Sequence, residues 1–386
     1  MIYFLALFLS VFLAFKYKRY GRGRYAYVFL CIVVILISGL RYKVGGDSIR
    51  YEDYFNLFDK GDILRYSFAA ETIEPGWIFL NYLVHSLGGE FWIVQMIHAT
   101  FINIVIFWVI NRYASKRFLA VFMYLALNYF YLNMEILRAS IAIALFLLAI
   151  PSYINRKWVK YYFLIFIGCL FHFSALILFL FPLLRNYRFT VRRLFQLVIL
   201  MYIGVLFIAP PILSAIGGRV LYNYNTYIEA SMNINGVIKL IICYILFPLI
   251  IICLRNKNLK SSVHSMNVFL SPYFIVASIS MISTAIGGRL IEFFTIINII
   301  VFTDFIVAAW QYSLFWRKIS VAIFVIPFLY VYPGYLANTS IYAPGTRYYN
   351  KYFPYTSILE RDDAIVKRQV EFREYFVHNM MFMQNK

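Results

Sequence analysis

The sequence is poor in charge, and acidic residues are especially scarce. Only 14% of the 386 residues are charged, with 17 Asp and Glu against 36 Lys and Arg. The chain also lacks a Gly-rich Walker loop, a His-Glu-x-x-His pair, a Gly-x-Ser-x-Gly turn and cysteine pairs at metal-ligand spacing. The absence of these motifs argues against a soluble nucleotide-binding domain and against a hydrolase of the classes that carry them. We therefore expect no metal site and no cofactor.

The chain has only four cysteines, and none is placed for a disulfide framework. Cys31, Cys169, Cys243 and Cys253 all lie in apolar runs, which is typical of small buried hydrophobic side chains. A cleavable signal peptide is not predicted either. Residues 2–15 are apolar, but the basic cluster follows them instead of preceding them, so they predict a first membrane span.

Apolar sequence is what the chain has in abundance. Hydrophobic residues make up 63%, and several long runs contain no charge, which predicts an all-α polytopic membrane protein. The net charge of +19 follows a positive-inside pattern, which favours anionic membrane lipids and not nucleic acid as the partner. Basic runs without acidic residues cover 16–24, 112–117, 155–160, 185–193, 255–260 and 317–318.

Placing each basic run in the cytoplasm predicts about ten crossings with both termini outside. The predicted spans are 2–15, 25–40, 91–111, 118–133, 136–154, 194–213, 237–254, 266–286, 290–310 and 319–336. They belong to a single membrane domain over residues 1–336, with an external loop over 41–90. Residues 337–386 are predicted to form an external Tyr-rich tail that ends in an amphipathic helix.

Two segments do not fit a simple count of crossings. Residues 75–89 are apolar but short for a bilayer, and counting them as a span would put the basic turn at 112–117 outside. They predict a juxtamembrane helix at the outer interface. Residues 158–184 have basic runs at both ends, which predicts a re-entrant hairpin whose turn lies near Phe171-His172-Phe173-Ser174.

The external loop holds eight of the chain's seventeen acidic residues, and two of them are candidate bases. Asp47 follows two glycines just after an outward span, where it could serve a sugar hydroxyl or only cap the loop. Glu74 precedes Pro75, where it could act in catalysis or only stabilise a helix N-terminus. His172, at the predicted hairpin turn, is either a functional group or a satisfied buried histidine.

Arginines near the outer ends of the predicted spans are candidate phosphate ligands. Arg suits this role because its planar guanidinium donates paired hydrogen bonds to phosphate oxygens. Glu135 and Arg138 are three residues apart, as are Arg289 and Glu292, so each pair is also predicted to meet on one helix face and make the charge tolerable.

Five short segments, which follow one another over residues 41–182, carry a resemblance to a known family. They are Arg41-Tyr42-Lys43-Val44-Gly45-Gly46-Asp47 with Tyr51, then Glu74-Pro75, Ile136-Leu137-Arg138-Ala139-Ser140-Ile141-Ala142, Tyr153-Ile154-Asn155-Arg156-Lys157 and Phe171-His172-Phe173-Ser174-Ala175. Together they resemble the EpsG family of bacterial exopolysaccharide and O-antigen polymerases, also called Wzy-like. A weaker likeness continues through Gly288-Arg289-Leu290 and Tyr352-Phe353-Pro354-Tyr355. The chain departs from the family pattern at Ala139, where Gln is frequent, and at Gly46, where Thr is common.

The resemblance implies a GT-C-like glycosyltransferase of the bacterial cytoplasmic membrane with an outward-facing active site. Its substrate would be an undecaprenyl-pyrophosphate-linked oligosaccharide, polymerised without metal and with inversion, and a chain-length regulator protein is an expected partner. Asp47 is the implied base, with Glu74 or His172 as alternatives. The implied pyrophosphate ligands are Arg41, Arg138, Arg219 and Arg289, and the candidate sugar-binding rings are Tyr51, Tyr352 and Tyr355.

Three other functions stay open at this point. An O-antigen ligase or related transferase would share the donor chemistry and differ in its acceptor. A lipid-linked oligosaccharide flippase should show two matching halves with broken helices, whereas the chain shows only a six-residue echo between 215–220 and 285–290. A membrane scaffold would not need so many charges at the outer helix ends.

Overall fold

The structure is a computed structural model that describes part of the chain. It describes residues 2–17, 22–60, 73–186, 284–310 and 349–371, with shorter pieces and single positions within 196–211, 267–276, 314–321, 339–340 and 373–374. The described residues exclude Arg219 and the predicted span 237–254. They include only isolated positions of the predicted spans 194–213 and 319–336.

The described residues are almost entirely helical, as predicted. The α-helices are α1 (Ile2–Lys16), α2 (Arg24–Gly39), α3 (Ser48–Asn56), α4 (Pro75–Ser86), α5 (Phe91–Tyr113), α6 (Arg117–Leu127), α7 (Leu137–Ile154), α8 (Trp158–Phe171), α9 (Phe181–Leu184), α10 (Thr284–Ile291) and α11 (Thr295–Ala309). A π-helical segment covers Tyr131–Glu135, and 3₁₀ segments cover Leu57–Lys60, Phe173–Leu180, Asn267–Phe269, Glu292–Phe294 and Ile358–Glu360. Two strands, β1 (Thr339–Ser340) and β2 (Tyr349–Asn350), form one antiparallel pair.

Three described helices are long and apolar enough to cross a membrane: Phe91–Tyr113, Leu137–Ile154 and Gly288–Ala308. Shorter apolar helices include α1, α2, α6 and α8. On α1 the exposed side chains include Phe8, Phe12 and Phe15, each more than half exposed on successive turns. Such an apolar outer surface is characteristic of helices that face lipid. The protein is therefore a helical membrane protein.

The bundle core forms where α2 and α7 pack against α5, with α1 against α6 and α8 against α7. Leu30 and Val34 of α2 are four residues apart and fully buried, because positions i and i+4 share one helix face. The Tyr27 hydroxyl donates to the Phe107 carbonyl over 2.8 Å, so a polar group that sits inside the bundle is satisfied. The long antiparallel helices leave their polar connections at the two ends of the bundle.

Residues 158–184 form two antiparallel arms, the arrangement expected of a hairpin. α8 is one arm, and the 3₁₀ segment followed by α9 is the other. The Tyr161 hydroxyl joins the arms by donating to the Leu178 carbonyl over 2.7 Å, and Arg185 Nη2 donates to the Ile154 carbonyl over 2.8 Å. Because a 3₁₀ segment rises further per residue than an α-helix, each arm is about 21 Å long, less than the thickness of a bilayer core.

The prediction of a turn between the spans 266–286 and 290–310 was wrong. The sequence predicted a turn at Gly287-Gly288-Arg289, but these residues lie inside α10, which continues through the 3₁₀ segment Glu292–Phe294 into α11. Glycine weakens a helix by only about 1 kcal/mol, and a helix satisfies its own backbone hydrogen bonds in an apolar setting. A pair of glycines was therefore not enough to end it.

The C-terminal tail returns to the loop over residues 41–90, which is predicted to be external, and pairs with it through the backbone. The amides of Tyr42 and Gly45 donate to the carbonyls of Thr356 and Lys351, each over 2.8 Å, and the Ile358 amide donates to the Leu40 carbonyl over 2.9 Å. These bonds join residues more than 300 positions apart, so the loop after α2 and the tail form one structure.

The predicted amphipathic helix of the tail is present over residues 364–371. Val366 and Val370 are buried on its inner face, whereas Lys367 is exposed. Arg373, one turn further, is buried and donates to Thr356 Oγ1 over 2.7 Å. The helix thus packs onto the loop and tail instead of standing apart from the bundle.

Candidate active site

Charged and polar side chains from five segments meet where α2 ends and α7 begins. We call Asp47, Glu74, Glu135, Arg138 and His172 the charged cluster. They come from the N-cap of α3, the N-cap of α4, the end of the π-helical segment, the first turn of α7 and the tip of the hairpin. Apart from Glu135 and Arg138, which are three residues apart, the members lie far from one another in sequence, so the tertiary fold brings them together.

Arg138 and Glu74 form the central ion pair of this cluster. Arg138 Nη1 lies 2.5 Å from Glu74 Oε2, and Arg138 Nε donates to the Tyr51 hydroxyl over 3.0 Å. The Glu74 side chain is only 6% exposed, while that of Arg138 is 25% exposed. The buried carboxylate therefore fixes a guanidinium that still has solvent-accessible donors.

Local sequence explains why Glu74 is placed there. Pro75 occupies the first turn of α4, where its missing N–H costs nothing, and Glu74 at the N-cap makes no side-chain capping bond. A Cβ on Gly76 would lie 2.7 Å from the Leu170 carbonyl oxygen, so glycine allows α4 to approach the end of α8 closely. The carboxylate is thus left free to turn towards Arg138.

His172 ends α8 and caps the 3₁₀ segment that follows. Its Nδ1 accepts from the Ser174 amide over 3.1 Å and lies 2.8 Å from Ser174 Oγ. An accepting Nδ1 requires a neutral ring whose proton is on Nε2. The amide of the next residue, Phe173, lies 3.4 Å from Glu74 Oε1, which places His172 beside the ion pair. Glu74, Arg138 and Arg289 all act electrostatically on this histidine.

Asp47 is the member of the cluster whose carboxylate is unengaged. It occupies the N-cap of α3 but makes no side-chain capping bond, and among the described residues it has no hydrogen-bond or ion-pair partner. Burial raises the pKa of the Asp47 carboxyl, and the nearby Glu135 raises it further. Arg50, Arg138 and Lys351 oppose that rise. The carboxylate is half-buried beside three cations, which is a suitable setting for a group that exchanges a proton.

The loop that carries Asp47 depends on a glycine. Gly45 has a φ of +114°, and a Cβ there would lie 2.4 Å from the Met134 carbonyl oxygen. Only glycine fits such a position. This close approach of the loop to the end of the π-helical segment brings residue 47 near Glu135.

Arg41 is not at the charged cluster in this structure. It is fully buried, Nε donates to the Val44 carbonyl over 3.1 Å, and Nη1 bonds the Ser38 carbonyl. Burial lowers the pKa of Arg41 to about 10. Its contacts hold the loop that follows α2, although Nη2 has no partner among the described residues.

The remaining residues predicted to bind pyrophosphate or sugar lie partly near the charged cluster and partly in the buried core. Arg289 is exposed on α10 and acts electrostatically on His172. Tyr51 packs against Trp77, with ring centroids 5.1 Å apart. Tyr352 is fully buried with its hydroxyl on Glu135, and the Tyr355 hydroxyl donates to the Ile37 carbonyl over 3.1 Å. The two tail rings thus contribute to packing here, and Tyr51 supports Arg138.

The charge pairs predicted at a spacing of three residues do not form. Arg138 pairs with Glu74 instead of Glu135, because the helix is broken at Ile136, whose φ and ψ of −95° and 56° are not helical. Glu292 accepts a bond from the Tyr131 hydroxyl and lies in a 3₁₀ segment, whereas Arg289 lies in α10. In both cases a change of helix type moves the two side chains off a common face.

Sequence reasoning missed Lys351. Its Nζ lies 3.5 Å from Glu135 Oε1, and the side chain is 29% exposed. The only signal in the sequence was its position next to the weak likeness at residues 352–355. Within the described residues, no group of three or more His, Cys, Asp or Glu is arranged to hold a metal ion.

Comparison with known proteins identifies one family. The sequence model of the EpsG family matches residues 24–357, which is nearly the whole chain and includes every member of the charged cluster. No curated protein matches the chain, and no solved structure does.

Proposed function

Because the chain belongs to the EpsG family, we propose that it is a membrane-bound polysaccharide polymerase that joins lipid-linked oligosaccharide repeat units. The observation that carries the proposal is the Asp47 carboxylate, which has no partner among the described residues, beside the partly exposed Arg138 guanidinium. A glycosyl transfer from a lipid diphosphate needs a base for the acceptor hydroxyl and positive charge for the leaving group. These two groups supply both.

The proposed step is a single displacement at the anomeric carbon. Asp47 takes the proton of the acceptor sugar hydroxyl as its oxygen forms a bond to that carbon. The bond from the carbon to the diphosphate oxygen breaks, and the undecaprenyl diphosphate leaves with the electron pair. The configuration at the anomeric carbon is thereby inverted.

Arg138 and Arg289 neutralise the negative charge that develops on the diphosphate. Guanidinium donors suit this task since they bind phosphate oxygens in pairs and stay charged. Glu74 holds Arg138 through a buried ion pair, so the cation is oriented before substrate arrives. Fixed cations of this kind supply the stabilisation without a bound metal.

Asp47 is a better candidate for the base than Glu74 or His172. Glu74 is committed to Arg138, and its Oε1 also lies 3.4 Å from the Phe173 amide. His172 uses Nδ1 to cap the 3₁₀ segment. Of these three groups, Asp47 alone has no competing partner among the described residues.

We place the reaction at the outer face of the bacterial cytoplasmic membrane, in a GT-C-like architecture. The support is the positive-inside charge pattern, which puts the loop containing Asp47 outside. Lipid-linked repeat units would then reach the cluster from the outer leaflet, and a chain-length regulator is the expected protein partner.

The central test is polymerisation by purified protein given a polyprenyl-diphosphate repeat unit. Asp47→Asn should lower the rate by about 10²- to 10⁴-fold, which is the usual contribution of a general base. Asp362→Asn, at a carboxylate that is 85% exposed on the tail, is the matched control and should keep the wild-type rate. An unchanged rate in Asp47→Asn would remove Asp47 as the base.

A deletion strain separates polymerase from the alternatives. Single lipid-linked repeat units that accumulate on the outer face support a polymerase. Units that remain on the inner face would favour a flippase, and finished polymer that is not attached to its acceptor would favour a ligase.

A further inference from the structure

The C-terminal tail delivers a cation to the charged cluster. The Lys351 carbonyl accepts the Gly45 amide over 2.8 Å, so the tail backbone is fixed to the loop two residues before Asp47. From this anchor Lys351 Nζ extends to 3.5 Å from Glu135 Oε1. It also lies 3.6 Å from the point that a Cβ of residue 46 would occupy, while Glu135 Oε1 lies 3.3 Å from that same point.

The side chains of Lys351 and Glu135 therefore both lie close to Gly46, the residue that precedes Asp47. Glu135 is held from two sides, because the buried Tyr352 hydroxyl also bonds its Oε1. The anchored tail segment thus fixes the carboxylate with two consecutive residues. The groups that face Asp47 from the packed elements are Glu135, Arg50, Arg138, Lys351 and Tyr51.

We propose that Lys351 is a positioning residue of the polymerase site, which pairs with Glu135 and offsets its charge so that Asp47 can remain an ionised base. This inference rests on the proposed function, since it assigns Asp47 the role of base. It adds that the tail is part of the active site. Two carboxylates close together in a half-buried place disfavour each other's ionisation, and a cation paired with one of them relieves that effect.

The signs follow from the charges around Asp47. Lys351 lowers the pKa of the Asp47 carboxyl and Glu135 raises it. A base is active when ionised, so the rate falls as pH drops through its pKa. Removing Lys351 should move the acid limb of the rate profile to higher pH, and removing the charge of Glu135 should move it to lower pH.

The experiment measures kcat/KM against pH for purified full-length variants with a polyprenyl-diphosphate repeat unit. Lys351→Gln should move the acid limb to higher pH, with the rate recovering at high pH. Glu135→Gln should move it down, and Lys351→Arg should keep the wild-type profile. Lys367→Gln, on the exposed face of the tail helix, is the control and should change nothing.

Lys351→Gln and Glu135→Gln predict opposite shifts, so either can test the idea if the other fails to fold. A rate loss of equal size at every pH, or no shift in either variant, would overturn the proposal and leave Lys351 a structural residue. If the profiles were unshifted and Asp47→Asn also stayed active, the assignment of Asp47 as the base would be overturned. An inactive Asp47→Asn with unshifted profiles would overturn the role of Lys351 alone.

Discussion

Two carboxylates at the same end of the bundle differ in what their surroundings leave them free to do. Glu74 is almost fully buried, and its charge is matched by Arg138 at 2.5 Å. A buried carboxylate of this kind needs its partner, because an uncompensated charge in a low-dielectric place is costly. Asp47 has no such partner among the described residues, and the nearby negative charge of Glu135 raises the pKa of its carboxyl. One acid is therefore structural in character and the other is available for chemistry.

Replacing Asp47 with Asn should separate activity from folding. The folded pKa of Asp47 is raised, so its contribution to stability is present below the unfolded pKa and is lost as pH rises through the folded pKa. At neutral pH the ionised group disfavours the folded state. Asp47→Asn should therefore unfold at the same or a higher temperature at pH 7, while its polymerisation is lost.

Thermal unfolding in detergent, followed by tryptophan fluorescence at pH 7 and pH 4, checks this prediction. The advantage of Asp47→Asn should shrink at the lower pH, where the wild-type carboxyl is increasingly protonated. A variant that is less stable than wild type at pH 7 would mean that the carboxylate holds the loop, and its loss of activity would then say nothing about catalysis.

At the scale of elements, the loop between α2 and α3 should depend on one glycine. Gly45→Ala requires a φ of +114° and puts a methyl group 2.4 Å from the Met134 carbonyl oxygen. It should destabilise the protein by about 3 kcal/mol or more, since backbone strain and a backbone clash add together. Gly88→Ala is the matched control, because Gly88 also has a positive φ, of +72°, but its Cβ would meet nothing within 4 Å.

Chemical or thermal denaturation of both variants gives the comparison. The control should cost only about 1 to 2 kcal/mol, the ordinary penalty of a left-handed conformation for a residue with a side chain. Equal losses in the two variants would show that the loop relaxes around the methyl group and that the close approach to Met134 does not matter.

The sequence predicted helices well where charge and hydropathy change abruptly. The predicted span 25–40 corresponds to α2 (Arg24–Gly39), and 136–154 corresponds to α7 (Leu137–Ile154), because a basic or acidic residue lies near each end. The break near residue 128 was not predicted. α6 ends at Leu127, and the predicted span 118–133 continues instead into the π-helical segment Tyr131–Glu135. No pattern of hydropathy marks a change of helix type.

The sequence pointed to individual candidate residues, but it did not indicate their partners. Asp47, Glu74, Arg138 and His172 were identified from motifs in their own segments. The spacing of three residues suggested Glu135 as the partner of Arg138, while the fold supplies Glu74, which is 64 positions away. Local spacing predicts pairing only along an unbroken helix. Long-range pairing is decided by packing, which a single sequence does not display.

For the whole molecule, the pairing of the tail with the external loop was invisible in the sequence. Its bonds join residues such as Tyr42 and Thr356, and backbone hydrogen bonds leave no pattern in side-chain composition. The charge rule carries other information about the molecule, since it assigns a side of the membrane to each end of the bundle. The hairpin brings Arg185 back to Ile154, so the two ends of residues 158–184 lie at the same end of the bundle.

That arrangement gives a definite expectation for accessibility across the membrane. In a chain whose native cysteines are replaced, Ser86→Cys and Asn186→Cys introduce single thiols at two exposed positions. An impermeant maleimide applied to spheroplasts should label residue 86, which lies within the loop over 41–90 that is predicted to be external, and should label residue 186 only after the membrane is opened. Labelling of residue 186 from outside would contradict the hairpin and make residues 158–184 a crossing. The reverse pattern at both positions would invert the topology and move the charged cluster to the cytoplasmic side, where a polymerase of outer-leaflet substrates could not operate.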